Sequence, residues 1–91
     1  MDEQAVERVR AAVRAIPSGE TASYGEIAAR AGLRSARLVG RILAEDGHDL
    51  PWHRVLRADG TCAPHIATEQ CARLRAEGVI MVEGRLPRPG R

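Results

Sequence analysis

Thr21-Ala-Ser-Tyr-Gly-Glu-Ile-Ala-Ala-Arg-Ala-Gly-Leu-Arg-Ser-Ala-Arg-Leu-Val-Gly-Arg-Ile-Leu-Ala44 is the stretch that decides the fold. Ser23 followed by Glu26 has the spacing of a capping box, in which the hydroxyl accepts from the third helical amide and the carboxylate returns to the cap amide. A helix is therefore expected from Tyr24 to about Ala31. Gly32 can adopt the left-handed conformation that stops it, and Ser35 can cap a further helix from Ala36 to about Glu45. Two short helices joined by a tight Gly-containing turn make a helix-turn-helix.

The second of these helices is two-faced. Leu38, Val39, Ile42 and Leu43 form an apolar side, while Arg37, Gly40, Arg41 and Ala44 recur at i, i+3, i+4 and i+7 on the other. That outer face is basic and nearly bare of bulk. Small residues between two arginines let a helix backbone approach a phosphate backbone closely, whereas a merely solvated helix more usually carries Glu, Gln and Lys there. A solvated face is the competing interpretation, and many helix-turn-helix domains bind only protein. With the turn before it, the pattern favours nucleic acid.

Working outward, Val6, Val9, Val13 and Ile16 recur at helical spacing, so an amphipathic helix from about Glu3 to Ala15 precedes the motif, ended by Pro17 and Gly19. After the motif, a loop with Gly47 and Pro51 leads to Trp52-His-Arg. Val55 to Arg57 has strand character and Asp59-Gly60 is a turn dipeptide, so a short hairpin or wing is expected. A fourth helix from about Ala67 to Glu77 is closed by Gly78, Val79 to Val82 is a strand candidate, and residues 85–91 form an expected mobile tail rich in Arg and Pro. The expected architecture is a single, mainly α domain over residues 1–91, small and winged-helix-like, with a short β element.

Composition narrows the function. The chain has 91 residues, 14 basic against 12 acidic, and a net charge of +2, yet residues 30–41 hold Arg30, Arg34, Arg37 and Arg41 and no acid. A near-neutral chain thus conceals one basic stripe, which attracts phosphate independently of sequence. There is no Phe, and Tyr24 and Trp52 are the large aromatics. An aromatic platform for RNA or single strands needs more rings than this. A lone Trp in a small domain is ordinarily a core plug. Cys62 and Cys71 lack CxxC spacing and a matching His pair, so neither a metal site nor a disulfide is expected, and they are taken as small, partly buried hydrophobes. Chemistry could fall to His53, Arg54 or the thiols, but spacing does not bring either thiol to His53. No phosphate loop, paired-carboxylate motif, membrane span or signal peptide is apparent.

Five motifs then fall in order: Ile16-Pro-Ser-Gly, Ser23-Tyr-Gly-Glu-Ile-Ala28, Ala36-Arg-Leu-Val-Gly40, Pro51-Trp-His-Arg-Val55 and Ala76-Glu-Gly78. In order and spacing they resemble the DNA-binding domain of O6-alkylguanine-DNA alkyltransferases, over roughly residues 5–84. The family pattern Pro-Cys-His-Arg-Val carries the Cys that accepts the alkyl group, and here that position is Trp52. The chain therefore resembles the alkyltransferase-like proteins, the non-catalytic relatives, and is expected to lack the separate N-terminal domain of many active transferases.

The resemblance implies roles for particular residues. Tyr24 would press on the phosphate beside the target nucleotide, and Arg37 would enter the duplex as a finger and fill the vacated space. Ser35, Gly40 and Arg41 would lie against DNA with it, the helix resting in the minor groove. Flipping a base costs a few kcal/mol, so an intercalated guanidinium and a receptive pocket are sensible compensations. Tyr24, Trp52, His53, Val55 and His65 would form the lesion pocket. His53 and Glu77 match the pair that activates the transferase Cys, leaving here a structural hydrogen bond. His65 stands near where relatives place an Arg that stacks on or pairs with the damaged base, so a cation there would depend on its protonation. The implied activity is binding of duplex DNA containing O6-alkylguanine without repair chemistry, and without cofactor or metal. The site would then pass to nucleotide excision repair proteins. A cytoplasmic monomer, nucleoid-associated when on DNA, is expected. Alkyl transfer to another Cys and regulatory binding of undamaged DNA are the alternatives.

Overall fold

Asp2 opens the first helix by accepting the amide of Gln4 at 2.9 Å, and α1 (Glu3–Arg14) buries Ala5, Val9 and Val13 along one stripe. The computed structural model describes residues 2–87. The expected capping box is formed: Ser23 Oγ accepts the Glu26 amide at 3.0 Å while Glu26 Oε1 accepts the Ser23 amide at 2.8 Å. It starts α2 (Tyr24–Arg30). Gly32 takes φ +71° as required, and Ser35 Oγ caps α3 (Ala36–Asp46) by accepting the Leu38 amide at 3.3 Å. Gly47 closes α3 because nothing larger fits: a Cβ there would lie 2.6 Å from the Leu43 carbonyl oxygen. A fourth helix, α4 (Ala67–Ala76), follows a 3₁₀ turn over Pro64–Ile66 and stops at Gly78 with φ +88°.

The β element departs from expectation. Ala22–Ser23 (β1) pairs in parallel with Val55–Leu56 (β2), Ala22 opposite Val55 and Ser23 opposite Leu56. The strand character of Val55 is real, but its partner comes from across the sequence rather than from a hairpin. Arg57 to Thr61 does close a tight turn, the Gly60 amide donating to the Arg57 carbonyl and the Arg57 amide to that of Thr61. Val79 to Val82 does not form the expected strand. Val79 and Met81 tuck into the core, Ile80 and Val82 are 70% and 50% exposed, and Val82 makes one antiparallel bridge to Arg85 across a turn with Glu83 and Gly84 at positive φ. The alternation is satisfied by burial of one side, without a ladder partner. Nor does the chain come loose at residue 85: Arg85 bridges Thr61, and the Leu86 amide donates to the Gly60 carbonyl. The remainder of the expected tail, 88–91, lies outside the described residues.

The core has two parts. α1, α2 and α3 enclose Val9, Val13, Ile16, Ala22, Ile27, Ala28, Ala31, Val39, Ile42, Leu43, Leu50 and Val55, all aliphatic. A smaller cluster of Leu56, Cys62, Cys71, Leu74 and Met81 lies under α4 and the turns. The mainly helical fold class is as expected. Among the described residues, no helix is long and apolar enough to cross a membrane, and no group of three or more His, Cys, Asp or Glu is placed to hold a metal ion.

Candidate functional site

Where the helix-turn-helix meets α4, a cavity of about 640 Å³ opens, lined by Tyr24, Gly40, Leu43, Ala44, His48, Trp52, His65, Ile66, Glu69 and Arg73. Its size falls within the range of roughly 300–1,000 Å³ typical of small-molecule sites. A second cavity, of about 450 Å³, is lined by Tyr24 together with Gly25, Ala36, Arg37, Gly40, Arg57, Ala58 and Ala63. Tyr24 and Gly40 belong to both. The Tyr24 ring lies against α3 at Gly40, where a Cβ would meet Tyr24 Cε1 at 3.8 Å, an ordinary van der Waals contact. Burial raises the Tyr24 pKa above its ordinary value, keeping the ring neutral.

Trp52 is not a core plug. It occupies a 3₁₀ turn, Trp52–Arg54, only partly buried, with its ring on the cavity wall. His53 stands edge-on to it at 88° with ring centroids 6.2 Å apart, and the Arg73 guanidinium carbon lies 5.3 Å over the indole. His65 also lines the cavity. Two residues expected in the pocket are not there. Val55 is fully buried in the main core because β2 turns its side chain inward, and His53 is buried behind Trp52, its ring turned to Glu77.

The expected His53 to Glu77 bond is present, with Nε2 and Oε2 2.7 Å apart. It belongs to a larger knot. Arg54 donates to both Glu77 oxygens, at 2.7 to 3.2 Å, and through Nη1 to the Ile16 carbonyl at 2.9 Å. The Gly19 amide donates to Glu77 Oε1 at 3.2 Å. The Arg54 guanidinium, assisted by His53 and Gly19, holds the Glu77 carboxyl down at about 2. From α4, fully buried Gln70 donates to the carbonyls of His53 and Val55 at 3.0 and 2.8 Å. One carboxylate and one amide thus rivet the Trp52 loop to α4 and to the turn after α1. Arg10 secures the loop's other end, donating to the Asp46 carbonyl at 2.6 Å and to Asp49 Oδ1 at 3.0 Å.

On the open face, Ser35, Arg37 and Arg41 are exposed, as are Arg30 and Arg34. Ser35 is engaged as the α3 cap and Arg41 pairs with Glu45 at 3.0 Å, while Arg37 borders the second cavity together with Arg57. Sequence reasoning missed Arg57, His48, Glu69 and Arg73. Arg57 had a faint signal as the first charge after an apolar strand. The other three reach the site only through the packing of α3 and α4.

The thiols are far from nucleophilic. Cys62 and Cys71 are buried in the smaller core, with sulfurs 3.3 Å apart and one thiol donating to the other. Burial, then the hydrogen bond to Cys71, pushes the Cys62 thiol up to about 12.

Residues 4–79 match the family described as 6-O-methylguanine DNA methyltransferase, DNA binding domain. The chain belongs to this family. Within it, the chain is 44% identical over 81 residues to the DNA base-flipping protein of Escherichia coli (strain K12), a match that takes in 82% of this chain and 62% of that longer protein. It is 39% identical over 80 residues to alkyltransferase-like protein 1 of Schizosaccharomyces pombe, covering 79% and 73% of the two chains. S. pombe Atl1, solved in complex with damaged DNA containing O6-carboxymethylguanine, has the same fold, with a TM-score of 0.86 at 30% identity over 96% of this chain and 92% of that one. The resemblance carried by the five motifs, and with it the alkyltransferase-like kinship, is borne out.

Proposed function

We propose that this chain binds double-stranded DNA containing O6-alkylguanine, rotates the damaged base into the cavity beside Trp52, and leaves the alkyl group in place. One observation carries the reading: an indole forms the cavity wall at the position of the family's acceptor thiol, while both thiols of the chain are buried elsewhere and Cys62 is held protonated. The names and complexes of its relatives agree with it, a base-flipping protein in one case and a complex with damaged DNA in another.

The geometry supplies a course for the base. Arg37 and Arg57 border the second cavity and Trp52 the first, and Tyr24 lines both. A neutral phenol at this boundary can press on a phosphate without charge repulsion, and Arg37 is free to occupy the gap left in the stack. Trp52 then offers apolar and π surface to the substituent. The His53–Glu77 pair, without a thiol to activate, orients the loop. The protein acts as a cytoplasmic monomer, nucleoid-associated on DNA, and hands the marked site to nucleotide excision repair proteins.

Incubation with a duplex carrying labelled O6-methylguanine tests this. Tighter binding than to unmodified duplex, with no label on the protein, is expected. Label fixed covalently on the protein would show an active transferase. Equal affinity for both duplexes would favour a regulator of undamaged sequence.

A further inference from the structure

We propose that Arg73 makes the cavity discriminate among O6 substituents by charge, favouring those that end in a carboxylate. This rests on the lesion-binding reading and adds a substrate class to it. The register of α4 turns Glu69 and Arg73 toward the cavity while Gln70, Cys71 and Leu74 are buried. Besides the neutral Tyr24, the ionisable side chains lining the cavity are the basic His48, His65 and Arg73 and a single carboxylate, Glu69.

Arg73 is placed to meet an anion without being locked away. Its Nε and Nη2 both reach one oxygen of Glu69, Oε2, at 3.0 and 2.7 Å. Nη1 makes no hydrogen bond among the described residues. Glu69 and Arg73 are one turn apart and roughly half exposed, at 59% and 50%, and such a pair is weak and readily redirected. The guanidinium carbon sits 5.3 Å over Trp52, so any substituent resting against the indole comes within its neighbourhood. A planar guanidinium matches a carboxylate in two parallel hydrogen bonds, whereas a methyl group offers it no acceptor. The cation comes from α4, which Gln70 ties to the Trp52 loop through the His53 and Val55 carbonyls.

The test compares three duplexes, carrying O6-carboxymethylguanine, O6-methylguanine or guanine, against the wild-type chain, Arg73→Met and Glu69→Gln. Methionine keeps an unbranched side chain over Trp52 without the charge. The wild type is expected to prefer the carboxymethyl over the methyl duplex, and Arg73→Met to reduce that ratio about tenfold. Glu69→Gln removes the competing carboxylate and is expected to raise the ratio about two- to threefold. If Arg73→Met lowers affinity for both lesions by the same factor, the assignment is overturned and Arg73 merely props Trp52. A wild-type chain that holds all three duplexes alike overturns the lesion-binding reading itself, and this assignment with it.

Discussion

The helix-turn-helix half and the α4 half of the molecule face each other across one cavity but are built differently. On one side, three helices share a continuous aliphatic core, and the exposed arginines Arg37 and Arg41 stand on a regular, capped helix. On the other, α4 lacks a side-chain N-cap, its core is five residues that include two thiols, and the chain beside it runs in turns. What the smaller half lacks in burial it replaces with polar ties, the Arg54–Glu77–His53 knot and Gln70. The lesson is a division of labour: the apolar half fixes a charged surface rigidly, while the polar half fixes a pocket wall at a few named bonds.

Cutting those ties is the hardest blow to that comparison. Arg54→Met strips Glu77 of its main partner and the Ile16 carbonyl of a donor, and is expected to cost about 2 kcal/mol, or roughly 10 °C in Tm by thermal unfolding. An unchanged Tm would mean the smaller half stands on its own apolar contacts. The same knot sets an acid limit. Glu77 has its folded pKa lowered from 4.5 to about 2, so its contribution is complete above 4.5 and disappears as the pH falls toward 2. Glu77→Gln should therefore flatten the loss of stability between pH 4.5 and 2, leaving the slope due to Asp49 and Asp59, whose carboxyls are also lowered.

Next in size, on the proposed function Arg37→Ala should weaken duplex binding about tenfold and reduce the slope of log affinity against log salt by about one, since a charge and the proposed finger are lost together. Unchanged affinity in a fluorescence titration would remove Arg37 from the flipping step. The smallest effect is expected at the boundary between the halves. Tyr24→Ala should lower the lesion-to-unmodified affinity ratio about threefold while affecting unmodified duplex less. A uniform loss across both duplexes would assign Tyr24 to general backbone contact.

The two halves also differ in how far the sequence discloses them. Ser23, Glu26, Gly32 and Ser35 act through neighbours a few residues away, so the capping box, the left-handed stop and the α3 cap could be seen in advance. The parallel pairing of Ala22 with Val55 could not, because two residues carry too little pattern to name a partner across 33 positions. Val79 to Val82 misled for a related reason: alternating burial looks the same whether or not a strand lies alongside. At the site, Trp52 was visible as a departure from a motif. Its companion Arg73 was not, since it lies 21 positions further along the chain and only the seating of α4 brings them together.

The boundary at Tyr24 has a kinetic consequence. The two cavities share Tyr24 and Gly40, the phenol lying against the helix at Gly40. On the proposed function, damaged and undamaged duplexes meet the same arginine face first, so both associate at a similar, charge-steered rate. Only a base that passes Tyr24 and finds Trp52 is retained. Recognition would then be written in residence time, with slow departure from the lesion and fast departure elsewhere, and a stopped-flow trace would show two dissociation phases on lesion-bearing DNA against one on unmodified DNA.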